Sequence, residues 1–348
     1  MRLALSVVAA ALLSSSALAV PLDTPSDFAS PARSARRLVQ LSKRANESCS
    51  ASSSVAAAAS YGNGTEVRLR IANGGAGQSG LVSALAEAFI DWSLENGTAT
   101  EPYKIDWITA DTTYSLDHLS TGAADIAITY NAQAEYRALN LSYATKRIYG
   151  FRDHFYLFGP SNNTANISST DDVLTIFNKI VTTGTAGNGT RFLSRYDKSA
   201  TNIKESLLFA TIGQIPWAYT YSTWYHQYPV FPIEALTASA QLGEYTLSDR
   251  GTLLTLTSQS PDVAAKLVTY KAGADEDPND LLLNPAAFLL GANVCDENKA
   301  LAEAFMDWMQ LDEGGQAVVA NYSQPGSTDL LYTRAPNCTT EPDHCLGW

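Results

Sequence analysis

The segment Ser194-Arg195-Tyr196-Asp197-Lys198-Ser199-Ala200-Thr201 sets an arginine and then two hydroxyls, Ser199 and Thr201, at the start of a stretch with helical periodicity that runs to about Thr211. The first turn of a helix has N–H groups without intrahelical acceptors and carries the positive end of the helix dipole, so this spacing favours an anion. The planar guanidinium of Arg195 makes bidentate, charge-assisted bonds to an oxyanion, and Ser194, Ser199 and Thr201 add hydroxyl donors. Asp197, two positions on, offers Arg195 an ion pair instead. A second segment, Tyr245-Thr246-Leu247-Ser248-Asp249-Arg250-Gly251-Thr252, carries Arg250, which either joins such a site or forms a structural turn with Asp249 and Gly251.

Two further loops offer donors. Gly75-Ala76-Gly77-Gln78-Ser79-Gly80 satisfies the Gly-x-Gly-x-x-Gly spacing of dinucleotide sites. Those sites also need an acidic residue about 20 positions on, at the end of a second strand; Asp111 lies too far along, and Asp91 and Glu95 fall within the expected helix. Ser79 nearly forms a nucleophile elbow, but Leu81 stands where that turn requires glycine, and His118, His154, His226 and His344 keep no triad spacing. The loop therefore reads as bare N–H groups from Asn73, Gly74 and Gly75 with a hydroxyl from Ser79. Thr112, Thr113 and Ser115 either donate to the same anion or simply begin a helix. The acidic stretch Asp275 to Asp280 lacks the glycine and spacing of a calcium loop and reads as a solvated turn. Neither a metal nor a cofactor is implied.

The elements that would position these loops alternate. Val67, Leu69 and Ile71 predict a strand, and Leu81, Leu85, Phe89 and Trp92 a helix; Lys104 to Thr109 and Asp125 to Tyr130 read as strands, and a fourth ends at Pro160. A helix over Asp171 to Val181, the Arg195 loop with its helix, and another helix ending at Gly243 follow. Strands near Tyr245 and over Lys266 to Tyr270 suggest the chain returning to its first half, Phe288 to Leu290 is one more strand, and a last amphipathic helix begins at Asp296, whose side chain is placed to cap it. Such alternation implies an α/β fold with mostly parallel sheets and helices on both faces. The expected organisation is a first half at 66–159, a second half at 160–260, a return at 261–335 and a tail at 336–348. The aromatic run through Trp217, Tyr219, Tyr221 and Trp224 reads as core, with an interaction surface as the alternative.

Residues 1–19 have the form of a signal peptide ending at Ala17-Leu18-Ala19, and 20–65 read as a propeptide closed by Lys43-Arg44 followed by a low-complexity linker. Nine Asn-x-Ser/Thr sequons, the first at Asn46, suit a secreted glycoprotein and a eukaryotic secretory route. Four cysteines without metal or redox spacing imply disulfides; of three connectivities, Cys338–Cys345 with Cys49–Cys295 is favoured. No long apolar run follows the leader, which gives no membrane span. The net charge of -12 argues against nucleic acid and anionic membranes.

Ser-Arg-x-Asp-x-Ser-x-Thr-x-x-Lys-Glu followed by Tyr-Thr-Leu-Ser-Asp-Arg-Gly-Thr resembles the tungstate-binding proteins of bacterial ABC importers, from about Arg68 to Tyr322. The resemblance implies a two-lobe type II periplasmic-binding-protein fold that binds rather than transforms its ligand, closing an inter-lobe cleft on a small tetrahedral oxyanion such as tungstate or molybdate. Arg195, Ser199 and Thr201 would belong to one lobe, and Asn73 to Ser79 and Thr112 to Ser115 to the other. A receptor or transporter partner is not identified. Two departures stand out: Asn73-Gly74-Gly75-Ala76 replaces a hydroxyl-rich loop, and Tyr228-Pro229-Val230-Phe231-Pro232 replaces a glycine loop at the cleft. The alternatives are a secreted hydrolase using Ser79 and a scaffold that binds no anion.

Overall fold

The computed structural model describes residues 55–218 and 222–345. The expected signal peptide, propeptide, most of the linker and Cys49 lie outside the described residues, as do Tyr219 and Tyr221.

The chain begins β1 (Ala59–Tyr61), β2 (Val67–Asn73), α1 (Gly75–Gln78), α2 (Leu81–Glu95), β3 (Lys104–Thr109), α3 (Thr112–Thr121), β4 (Ile126–Thr129), α4 (Ala132–Asn140) and the long β5 (Ala144–Pro160). It continues α5 (Val173–Thr185), β6 (Phe192–Ser194), α6 (Ala200–Thr211), β7 (Tyr225–Gln227), α7 (Pro232–Leu242), β8 (Tyr245–Asp249), α8 (Arg250–Gln259), α9 (Pro261–Ala264) and β9 (Leu267–Ala272). It finishes β10 (Leu283–Gly291), α10 (Asp296–Trp308), α11 (Gly315–Ala320) and β11 (Thr333–Arg334). The helix starts follow local chemistry: the side chains of Asp111, Ser199 and Asp249 accept from the first turns of α3, α6 and α8. Gly122 and Gly243 end α3 and α7 in the left-handed region, where a β-carbon would be strained.

β5 divides the molecule into two lobes. Its first part, Ala144 to His154, pairs antiparallel with β10; Phe155 to Phe158 pair with β8, and Tyr156 to Pro160 with β9. The strand order is β1-β3-β2-β4-β10-β5-β8-β6-β7. Each lobe keeps a parallel triplet, β3-β2-β4 in one and β7-β6-β8 in the other, joined through the antiparallel pair β5 and β10. Helices cover both faces, which explains strands without polar alternation. In β4, Ile126 and Ile128 enter the core with Phe89, Phe288 and Phe305, while Ala127 enters a separate core with Leu119 and Leu289. The second lobe packs Phe177, Phe192, Phe209, Trp224 and Tyr225 into its own core, so Trp224 is a packing residue.

Two expectations need correction. The return to the first lobe falls at β10, not at 261, because β9 pairs on the second-lobe end of β5. An alternating apolar run marks a strand but not its partner, so the sequence could not place it. Asp296 is not the cap of α10: Cys295 holds that position, without a side-chain cap bond, and Asp296 contributes a negative charge to the first turn. Cys338 is bonded to Cys345 as expected. Cys295 is disulfide-bonded, and its expected partner, Cys49, lies outside the described residues.

Candidate functional site

A cleft of about 600 Å³ opens where the two lobes meet. One wall comes from the turn after β2 and the start of α3, with Asn73, Gly74, Gly75, Asp111 and Thr112; the other comes from the Arg195 loop and Pro229 to Pro232. The floor carries Tyr130, Asp153, Phe155, Asp249, Asn284 and Tyr332.

Arg195 is 4% exposed. Its Nε donates to the Val230 carbonyl at 2.8 Å and its Nη2 makes the ion pair with Asp197 weighed from the sequence, while the residue also lines the cleft. Nη1 makes no hydrogen bond among the described residues and is the atom left for a ligand. Tyr196 and Lys198 take φ values of 45° and 65°, conformations that non-glycine residues rarely adopt. Strain of this kind persists where surroundings enforce it, and here it shapes the turn that carries Arg195. Below the turn, buried Glu205 accepts from Ser194 Oγ and from Asn202 Nδ2 at 2.8 Å. Burial pushes its carboxyl up to about 8.

The expected site residues separate into two groups. Arg195, Ser199, Thr201, Asn73, Gly74, Gly75 and Thr112 line the cleft. The hydroxyls of Thr112 and Thr201, both nearly buried, make no hydrogen bond among the described residues and come from opposite lobes. Asn73 is spent on structure: it accepts from Gly77 N and donates to the Ile128 carbonyl, each at 2.8 Å. The loop expected to present bare N–H groups is instead the helical turn α1, closed on itself by that bond. Gly77 must be glycine, since a β-carbon there would sit 2.1 Å from the Trp107 ring.

The remaining candidates lie outside the cleft lining. Ser194 is fully buried between Glu205 and Tyr225, whose hydroxyl donates to it at 2.8 Å. Ser115 is buried and turns back to the Ala110 carbonyl. Thr113 is an exposed contact that donates to the Lys198 carbonyl at 3.3 Å across the lobes. Ser79 donates to the Ala76 carbonyl and shares a 2.8 Å hydrogen bond with the Tyr332 hydroxyl, with no histidine among its partners. Arg250 begins α8, and its neighbour Asp249 faces the cleft in its place. In each case the side chain's direction was decided by strand or helix phase, which spacing does not reveal.

Sequence reasoning missed the carboxylates. Asp111, Asp153, Asp197, Asp249 and Glu234 all line the cleft. Asp111, Asp197 and Asp249 stood within or beside the motifs; Asp153, Asn284 and Tyr332 lie on strand or loop segments with no local signature. Burial holds the Asp111 carboxyl above its usual range, and the Asp197 charge facing it adds to the rise. Asp153 is pushed up to about 7 by burial and then by the negative charge of Asp249. Burial lowers His118, keeping it neutral near pH 7. Ile128, Phe155, Pro229, Val230, Phe231 and Pro232 give the remaining walls an apolar character.

Known proteins share this architecture. A solved periplasmic protein inferred to bind metal is 44% identical, covering 80% of this chain and 99% of its own, with a TM-score of 0.73. The tungstate-binding protein of Desulfovibrio alaskensis G20 is 23% identical over 78% of this chain and 100% of its own, with a TM-score of 0.62, and shares the fold. A protein of Haloferax volcanii inferred to be the anion-binding protein of an ABC transporter is 28% identical over 242 residues, 68% of this chain. That match spans 65% of the Haloferax protein's length. The model of the PBP superfamily domain matches residues 52–313, and the chain belongs to that superfamily.

Proposed function

We propose that this is a secreted solute-binding protein whose two lobes close on a small solute bearing an oxyanionic group. One observation carries the reading: Arg195 Nη1 and the hydroxyls of Thr112 and Thr201 are donors without a partner among the described residues, facing one cleft from both lobes. A group bridging them would favour the closed arrangement, with β5 and the 273–282 segment as the hinges. The names of the Haloferax and Desulfovibrio relatives agree with an anion. Secretion rests on the leader-like residues 1–19 and the sequons. The role proposed is binding, and the Ser79 hydroxyl is engaged by the Ala76 carbonyl and the Tyr332 hydroxyl.

A bare dianion is a poor match for this cleft. Arg195 is already paired with Asp197, and the other carboxylates repel a tungstate-like ion. A second reading, capture of a metal cation, is favoured by those carboxylates and by the name of the 44% identical protein. Against it, the described residues contain no group of three or more His, Cys, Asp or Glu arranged to hold a metal ion. Thermal shift and titration calorimetry with tungstate, molybdate, sulfate, phosphate, organic phosphonates with and without an amine, and a divalent-cation series test both readings. A ligand at 100 times its Kd adds about 2.7 kcal/mol of stability. Oxyanion binding that Arg195→Ala abolishes supports the first reading; binding that survives the substitution, or heat with divalent cations alone, rejects it.

A further inference from the structure

The floor of the cleft is made of acceptors. Asn284, 3% exposed, donates its Nδ2 to Asp153 Oδ2 at 3.1 Å and leaves its own Oδ1 buried without a partner. A buried acceptor in that condition is unfavourable unless something entering the cleft donates to it. Asp153 lies beside it, and the pairing of β5 with β8 sets Asp249 opposite Phe155, one diagonal step from Asp153 on the same face. The backbone N–H of His154 and the Asn284 amide donate to Asp153, and the backbone N–H and hydroxyl of Thr252 donate to Asp249; among the described residues no cation pairs with either carboxyl. Lys204, the nearby cation, donates to the Leu283 carbonyl and does not line the cleft. Three aromatic rings, Tyr130, Phe155 and Tyr332, complete this floor.

We propose that the floor formed by Asp153, Asp249 and Asn284 is a subsite for an ammonium group, so that the captured solute carries a cationic amine besides its anionic end. A primary ammonium has three N–H donors and no acceptor, which matches two carboxyls and one amide oxygen. Aromatic faces around it add the attraction of a ring quadrupole for a cation. A cavity of about 600 Å³ holds an organic molecule and far exceeds a tetrahedral inorganic ion. The inference rests on the reading of this cleft as the solute site, and it explains why a protein of net charge -12 concentrates carboxylates where an anion is expected.

Titration calorimetry on the wild-type protein with ω-aminoalkylphosphonates of two to five carbons, each against the alkylphosphonate of equal length, reads the subsite directly. At one or more lengths the amine should tighten binding by about tenfold to a hundredfold. At pH 8, above the value of about 7 to which Asp153 is raised, Asp153→Asn and Asp249→Asn should shrink that ratio to below about threefold and strengthen binding of the amine-free compounds, since each removes a repelling charge. Asparagine caps a helix as well as aspartate does, so Asp249→Asn keeps the start of α8, and loss of the preference there is not loss of the fold. If amine and amine-free partners bind alike at every length, the ammonium subsite is wrong while the oxyanion reading stands. If the inorganic oxyanions and every phosphonate give no heat, both are wrong. Should either variant misfold, the wild-type ratio alone decides.

Discussion

The Arg195 turn rests on a carboxyl that the protein holds protonated, and pH exposes it. Glu205 is fully buried, its Oε1 accepts from Ser194 and Asn202, and its Oε2 has no partner. Its pKa is raised from 4.5 to about 8, chiefly by burial, while Ser194, Asn202 and the Arg195 charge pull the other way. Because the folded value lies above the unfolded one, the stabilisation is whole below pH 4.5 and disappears as pH climbs through about 8. Between pH 6 and pH 9 the linkage removes roughly 2.5 kcal/mol, at about 1.36 kcal/mol per pKa unit. Urea unfolding at pH 6, 7.5 and 9 on wild type and Glu205→Gln measures it, and Asp153, raised by the same cause to about 7, titrates equally in both proteins. The wild type should lose about 2.5 kcal/mol more than the variant across that range. Parallel curves would refute the argument.

Other substitutions probe the site from different sides. Arg195→Ala should lower ligand-free stability by about 3 kcal/mol, since it strips a nearly buried ion pair and leaves Asp197 facing Asp111; chemical denaturation reads this, and a loss under about 1 kcal/mol would mark the pair as an exposed one. Phe231, 60% exposed on the cleft wall, should change stability by less than about 0.5 kcal/mol when cut to alanine yet weaken binding of the longer phosphonates. Gly77→Ala should cost about 1 to 3 kcal/mol and shift Trp107 fluorescence, because the added carbon overlaps that ring.

The elements were legible because their signals are local. Lys104 to Thr109 was readable as a strand to the residue, and Gly243 as the end of a helix, since alternation and a left-handed stop need no tertiary information. Arg195, Ser199 and Thr201 were legible for the same reason, as they surround one helix start. What failed was direction. Ser194 and Arg195 are adjacent, yet one side chain enters the core with Tyr225 and the other reaches the cleft, a choice made by where β6 ends. Thr112, Thr113 and Ser115 begin α3 together, and helical phase gives the first to the cleft, the second to Lys198 and the third to Ala110.

The floor was illegible for a deeper reason. Asp153 and Asn284 are 131 positions apart and meet because the start of β10 pairs with β5 just before β5 crosses into the second lobe. No spacing rule reaches across such a separation. The same crossover that hides them would make them useful: if the lobes close as proposed, the point where β5 passes between them moves least, so acceptors set there would stay in place while Thr112 and Arg195 approach from either side. A solute of the proposed kind would be read by its amine against that floor and by its anionic end against the two walls. On the proposed reading closure would be favoured most when both ends are present, because an amine-free anion would meet Asp153 and Asp249 unrelieved, and an anion-free amine would give the two walls nothing to share.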